Sequence, residues 1–367
     1  MLEGHASEVR ALAFASDGKL LASAAHNGVV KLWDLNKKEN IYSFAIPKSE
    51  GSTCSYMNYS QDCTPLFFSK EKKLIFTIIG SIYVDYTLEL PGQKPITLNS
   101  LVYHPIYIWD IEQQKIVSEI KDCYTRPYRF TLSADGKYIA FECHNRELGR
   151  PEEYFDANGK LTKNICYYDG FNAKSPESDK FLVIWDVTQG KPIRQFKAGM
   201  CFVEADEIID FAFRKTEVLA GTMGGEVWIW DIALQKDGDP PMKKIRALGD
   251  GVEAIAQKAA FSADGKRVAM YRSYGNSTMV YDVDSGKELA RLTSRWEQGN
   301  GPRVFSPDGR YLAAGDSVLR VWDIASGELL VESPSHLWFS GDALSFSPDG
   351  KFIAISKGYS IALFRFR

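Results

Sequence analysis

A five-residue pattern of apolar residues flanking an aromatic and an acid returns along the chain, and nothing else in the sequence limits the fold so tightly. KLWDL sets Trp33 before Asp34, YIWDI sets Trp109 before Asp110, VIWDV sets Trp185 before Asp186 and WIWDI sets Trp230 before Asp231. MVYDV puts Tyr281 before Asp282, RVWDI puts Trp322 before Asp323, and ALFRF keeps only Phe364, followed by Arg365. Alternation of this kind is the period of a β-strand. Its return at a recurring interval means that each unit is one supersecondary element, unable to cover its own apolar face and obliged to stack on its neighbours.

The aromatics stand at 33, 109, 185, 230, 281, 322 and 364, so the last four intervals are 45, 51, 41 and 42 residues and the first two are 76 each. An Asp-Gly marker precedes five of them, in FASDGKLLAS, TLSADGKYIAF, FSADGKRVAM, FSPDGRYLAAG and FSPDGKFIAIS. The Asp side chain supplies an acceptor and the Gly tolerates positive φ, so each marker is predicted to be a tight turn joining two strands. A further turn follows most aromatic-acid pairs, as in VTQGKPI, VDSGKEL and IASGELL, and starts another strand. Each unit is therefore predicted to be four antiparallel strands. A closed array of such units can absorb all 367 residues as one domain.

These residues resemble the WD-repeat family over essentially the whole chain. The resemblance implies an all-β fold, a seven-bladed WD-repeat β-propeller occupying residues 1–367 with four antiparallel strands per blade. Radial stacking would bury sheet faces that a lone four-stranded sheet exposes and leave only short edges. The family's tetrad of His, Ser or Thr, Asp and Trp carries over in part. The first unit has His5, Ser23 and Trp33, with Asn27 where the family favours Asp. The sixth keeps Asp316 before Trp322, the fourth has Gly224 at that place, and His336 precedes Phe364 by the offset that separates His5 from Trp33. The blades are expected to rely on aromatic packing more than on buried hydrogen-bond networks. The motif acids recur at one place in six of the seven units, as turn-formers do and a single active site does not.

Both 76-residue intervals are read as insertions between the second and third strands of their units, at about 80–104 and 145–180. The first is predicted to be a long hairpin turning at Pro91-Gly92, and the second to hold a short hairpin around Asp156 to Gly159. In the family those loops share one face of the disc with the loops preceding the innermost strands, so the two inserts are expected side by side. They carry Tyr83, Tyr86, Tyr103, Tyr154, Phe155, Tyr167 and Tyr168, which with Trp296, Arg303 and Trp338 make the candidate partner-binding set. The competing reading is that the aromatics pack the two hairpins onto each other, since an isolated hairpin needs support. At the other end of the chain Ser360 to Phe366 is the third strand of the seventh blade. That blade is expected to be incomplete, with an open edge or with an outer strand contributed by a longer parent chain.

Lys plus Arg total 44 against 47 Asp plus Glu, and a net charge of -3 offers no general attraction for nucleic acid or an anionic membrane. The most apolar stretch, Leu74 to Val84, is broken by Thr77, Gly80 and Ser81 and is too short for a membrane-spanning helix. The start lacks a basic segment followed by an apolar one, so export is not expected. The six cysteines form no C-x-x-C pair and are read as reduced thiols of a cytoplasmic protein. Cys143-His144 is the one adjacent soft pair; no zinc signature, nucleophile elbow or phosphate loop occurs, and no metal or cofactor is expected. The expected function is a non-catalytic scaffold or sensor module that binds a protein or peptide on the face carrying the insertions, as part of a larger multidomain regulator. The alternative is a propeller enzyme, or a binder of small molecules or nucleic acid, with its site at the channel mouth. For that the predicted starts of inner strands offer a mixed set, Arg10, Tyr128, Gln257 and Asp342.

Overall fold

A computed structural model describes residues 1–45, 66–68, 73–77, 82–88, 96–103, 106–120, 130–144, 179–200, 208–246, 256, 258–272, 277–293, 301–315, 318–334 and 343–366. These residues form antiparallel strands and no helix. The first sheet runs β1 (Val9–Phe14), β2 (Leu20–Ala25), β3 (Val29–Asp34), β4 (Glu39–Ala45). The second contains β5 (Leu66–Phe68), β6 (Lys73–Thr77), β9 (Ile106–Asp110) and β10 (Lys115–Ile120); between β6 and β9 in sequence, β7 (Ile82–Leu88) and β8 (Ile96–Tyr103) pair with each other as a separate two-stranded sheet. The third is β11 (Phe130–Leu132), β12 (Tyr138–His144), β13 (Asp179–Asp186) and β14 (Lys191–Met200). The fourth is β15 (Ile208–Arg214), β16 (Glu217–Thr222), β17 (Glu226–Asp231) and β18 (Lys243–Arg246). The fifth is β19 (Lys258–Phe261), β20 (Arg267–Arg272), β21 (Ser277–Asp282) and β22 (Glu288–Thr293). The sixth is β23 (Arg303–Phe305), β24 (Tyr311–Gly315), β25 (Leu319–Asp323) and β26 (Leu329–Glu332). The seventh has three strands, β27 (Leu344–Phe346), β28 (Phe352–Lys357) and β29 (Ser360–Arg365).

Local chemistry explains each hairpin. Gly18, Gly136, Gly265, Gly309 and Gly350 all lie at φ between 66 and 78°, the left-handed region that a side chain disfavours. In four of these turns a serine two positions before the Asp does a second job. The hydroxyls of Ser133, Ser262, Ser306 and Ser347 donate to Asp135, Asp264, Asp308 and Asp349. The same oxygens accept the backbone N–H five residues on, from Tyr138, Arg267, Tyr311 and Phe352, each at 2.9 Å. The motif acids close the next turn. Asp34, Asp186, Asp231 and Asp323 each accept the N–H groups of the second and third residues beyond, at 2.8 to 3.2 Å, and Asp110 and Asp282 that of the third, at 2.9 Å.

Opposite the motif aromatic, five outer strands slip by one residue. Leu32 faces Tyr42 while Trp33 faces Asn40, which leaves Ile41 as a bulge, and the same slip leaves Val117, Ile193, Leu289 and Leu330 unpaired. A bulge breaks the row of open N–H and C=O groups on an edge strand, and so discourages another chain from adding to it.

Packing joins the sheets in chain order. Trp109 is buried with Ala11, Ala22 and Leu32 of the first sheet, Trp185 with Ile106 and Ile108 of the second, and Trp230 with Ala140 and Leu182 of the third. Tyr281 joins Leu219 and Ile229 of the fourth sheet, Trp322 joins Ala260 and Val280 of the fifth, and Phe364 lies against Tyr311 and Val321 of the sixth. Burying an aromatic of this size stabilises a seam by about 3 kcal/mol. Trp33 packs with Ala343, Ala354 and Ile361 of the seventh sheet and with Leu2. Among the inner strands, β1 touches β5 and β27, and β15, β19 and β23 each touch the inner strands of both neighbouring sheets. Phe67 of β5 and Phe130 of β11 meet with ring centroids 5.1 Å apart. Leu2 pairs antiparallel with Ile361, each N–H donating to the other's carbonyl at 2.9 Å, and so occupies the outer side of β29.

Candidate interaction face

The sheets have two unlike ends. One carries the Asp-Gly and motif-acid turns, and they are tied to each other across seams: Arg214 at the end of β15 donates to Glu217 and to Asp284, in the turn after β21, at 2.7 and 2.9 Å. The other end carries the connections from second to third strands and the stretches leading into inner strands. There the Val9 N–H donates to Gly358 at 2.9 Å, the His26 N–H to Glu8 at 2.8 Å and the Ala256 N–H to Met223 at 2.8 Å. The β7–β8 pair and residues 145–178 belong in sequence to connections of this second kind.

Of the sequence-derived candidates, Tyr83 and Tyr86 lie in β7, paired with Leu101 and Leu98, and Tyr103 lies in β8, paired with Ile82. The β6–β9 pairing runs unbroken from Lys73↔Asp110 to Thr77↔Ile106, so β7 and β8 leave the second sheet intact. Pro91-Gly92, Tyr154, Phe155, Tyr167, Tyr168, Trp296, Trp338, Asp316 and His336 lie outside the described residues, as do Tyr128, Gln257 and Asp342. The third strand of the third sheet begins at Asp179, two residues inside the expected insertion.

Arg303 needs correction. It opens β23 instead of standing in a loop, and it is 5 % exposed. Its guanidinium lies 4.0 Å from the Tyr271 ring centroid and donates to the Gly301 carbonyl. A cation stacked on an aromatic within a seam is a packing element, not a surface anchor. Arg320, buried in β25 of the same sheet, lies across from Glu332 at 3.7 Å. The sequence reading passed over Tyr359, which is 60 % exposed in the tight Lys357–Ser360 turn at this end. Its signal was present: an aromatic directly after a glycine between two strands has no sheet face to fill.

At the same end, His5 Nε2 is hydrogen-bonded to Ser23 Oγ at 2.7 Å, and Trp33 Nε1–H donates to that oxygen at 2.8 Å. Burial first, and the charge of Lys31 second, hold the His5 imidazole down at about 4, so it is neutral at pH 7. Asn27, at the family's acidic position, accepts the Val29 N–H at 3.2 Å and shapes its own turn. Ser23 is fully buried and its oxygen also accepts from Trp33, so the three side chains form a strut that ties the segment before β1 to β2 and β3. Among the described residues no group of three His, Cys, Asp or Glu side chains could hold a metal ion.

The cysteines also need correction. Cys143, in β12, is disulfide-bonded, and its partner lies outside the described residues. The reading of all six as reduced thiols therefore fails. Spacing could not reveal the bond, because it is formed between residues that only folding brings together.

Antiparallel sheets of three or four strands, most of them closed by the same kinds of turn and each contributing an aromatic to a seam, define a β-repeat protein. The family profile "WD domain, G-beta repeat" matches residues 1–34 and 303–323, which cover the first sheet through β3 and the sixth through β25. It is similar to the COMPASS component SWD1 of Saccharomyces cerevisiae, with 21% identity over 315 residues, 71% of this chain and 70% of that protein. It also resembles the small ribosomal subunit protein RACK1z of Oryza sativa subsp. japonica, with 26% identity over 130 residues, 35% of this chain and 37% of the other. WD repeat-containing protein 1 of Gallus gallus is 19% identical over 335 residues, 77% of this chain and 49% of that protein.

Proposed function

We propose that the sheets close into one seven-bladed propeller over residues 1–367, and that the end bearing the long connections is a non-catalytic platform for a protein or peptide. The observation that carries this reading is the unlike chemistry of the two ends. One is knitted into uniform short turns by Asp, Ser and Arg side chains. The other receives both long excursions, β7–β8 and residues 145–178. A rigid scaffold that concentrates its variable connections at one end presents binding groups at little ordering cost. The packing of Trp33 into the seventh sheet supports closure, since every other motif aromatic packs on the sheet before its own. Two relatives are named as parts of assemblies, one a COMPASS component and one a small ribosomal subunit protein, and both names favour a partner-binding role over catalysis. The aromatics of the two inserts are the proposed anchors, and further domains of a longer parent chain are proposed partners alongside separate proteins.

The test is an affinity capture with mass spectrometry, comparing the intact chain with one in which residues 84–100 and 146–178 are replaced by short Gly-containing turns. A thermal melt establishes that the variant folds. A partner kept by the intact chain and lost by the folded variant supports the platform; an unchanged partner set removes the inserts from recognition and overturns it.

A further inference from the structure

We infer that the Cys143 disulfide braces the proposed interaction face and that the protein matures where thiols are oxidised. Cys143 is the next-to-last residue of β12, beside the departure of residues 145–178 from the third sheet. The other five cysteines are Cys54, Cys63, Cys123, Cys166 and Cys201. Cys54 and Cys63 fall between β4 and β5, Cys123 between β10 and β11, and Cys201 between β14 and β15, all in stretches that lead into an inner strand. Cys166 falls between β12 and β13, a second and a third strand. Every one of these stretches belongs by connectivity to the same end of the sheets, and no cysteine occurs in an Asp-Gly or motif-acid turn. Cys143 itself stands at the end of β12 from which the connection to β13 departs, so the covalent tie is made at the end proposed for binding.

The consequence is mechanical. A cross-link between β12 and a connecting stretch removes conformations from the connections that would otherwise have to be ordered when a partner docks. It also sets a requirement for the surroundings. Two thiols give the bond by passing two electrons and two protons to a disulfide-bearing oxidant, which leaves as a dithiol, and the product persists in an oxidising compartment while a reducing one reverses it. The location of the brace relative to binding rests on the platform reading; the bond and its redox requirement do not.

Free thiols are trapped with iodoacetamide at lysis of the native source, and the denatured protein is digested without reductant and mapped by mass spectrometry. The expected result is an unalkylated Cys143 peptide linked to a peptide bearing Cys54, Cys63, Cys123, Cys166 or Cys201. Quantitative alkylation of Cys143 overturns the inference. As a second measurement, dithiothreitol is expected to lower the Tm of the intact protein by roughly 5 °C and to leave a Cys143→Ser variant unmoved; equal shifts in both, or none in the intact protein, sink the bracing role. A linked peptide found together with an unchanged partner set in the insert-replaced variant would leave the disulfide standing and the platform reading overturned.

Discussion

A single hydroxyl, that of Ser23, joins Trp33 to His5, and the state of that imidazole makes the first sheet sensitive to acid. Its pKa is about 4 in the folded chain against 6.5 in the unfolded one, so between these values the unfolded chain takes up a proton that the native one refuses. Stability is therefore complete above pH 6.5 and falls as the pH drops towards 4, by at most about 3 kcal/mol. The turn carboxylates act in a lower window. For Asp349 the Ser347 hydroxyl, then the Lys351 N–H, holds the pKa below its usual value. For Asp264 burial pushes upward, but the Ser262 hydroxyl, the Lys266 N–H and the charges of Arg267 and Lys266 outweigh it. Depressed carboxylates lose their contribution only as the pH falls through and below the carboxylate range. Urea midpoints measured at pH 7.5 and 4.5 are expected to diverge more for the wild type than for a His5→Asn variant. Parallel losses in the two proteins would show that His5 is not held neutral by the fold.

The hairpins tell how an element's sequence can be half legible. Asp-Gly announces a turn through chemistry confined to adjacent residues, and all five turns form where the pair occurs. The serine two positions earlier gave no such signal, because its acceptor role reaches five residues along and exists only once the turn has closed. The five bulges were equally hidden, since a slip between strands belongs to the pairing and not to either strand. So was the connection from β17 to β18: Gly238 N–H and Lys197 N–H exchange bonds with the Gln195 and Asp239 carbonyls, which covers the open edge of β14. Arg303 was misread for the same reason, its aromatic partner Tyr271 standing in another sheet. The glycines separate local from long-range demand. A Cβ on Gly265 would lie 2.8 Å from Arg214 Cβ, whereas one on Gly327 would meet nothing within 4 Å, although φ is positive at both, 66 and 72°. Gly327→Ala is expected to cost about 1 kcal/mol, from backbone strain alone. Gly265→Ala should cost about 3 kcal/mol, because the fourth and fifth sheets must also part. Chemical denaturation of the two variants decides; equal costs would mean that the turns do not hold the seam.

At the scale of the molecule, the repeat dictated sheets and their stacking, while closure depends on what the first repeat does with its aromatic. Each later motif aromatic has a preceding sheet to pack on, but Trp33 has none in the chain before it and finds the last one instead, among Ala343, Ala354 and Ile361. If the array is a closed ring, that seam is held like the others and its loss must be felt in sheets that are the farthest apart in sequence. Trp33→Ala removes the aromatic and leaves a cavity, at a cost of about 4 kcal/mol. Hydrogen exchange should then quicken in β27 to β29 as much as in β1 to β3, while β15 to β18 keep their protection. The control is Trp230→Ala, expected to expose the third and fourth sheets and spare the seventh. An open array would behave differently: the Trp33 change would loosen the first sheet alone, the seventh would exchange as in the wild type, and the seven-bladed ring would have to be abandoned.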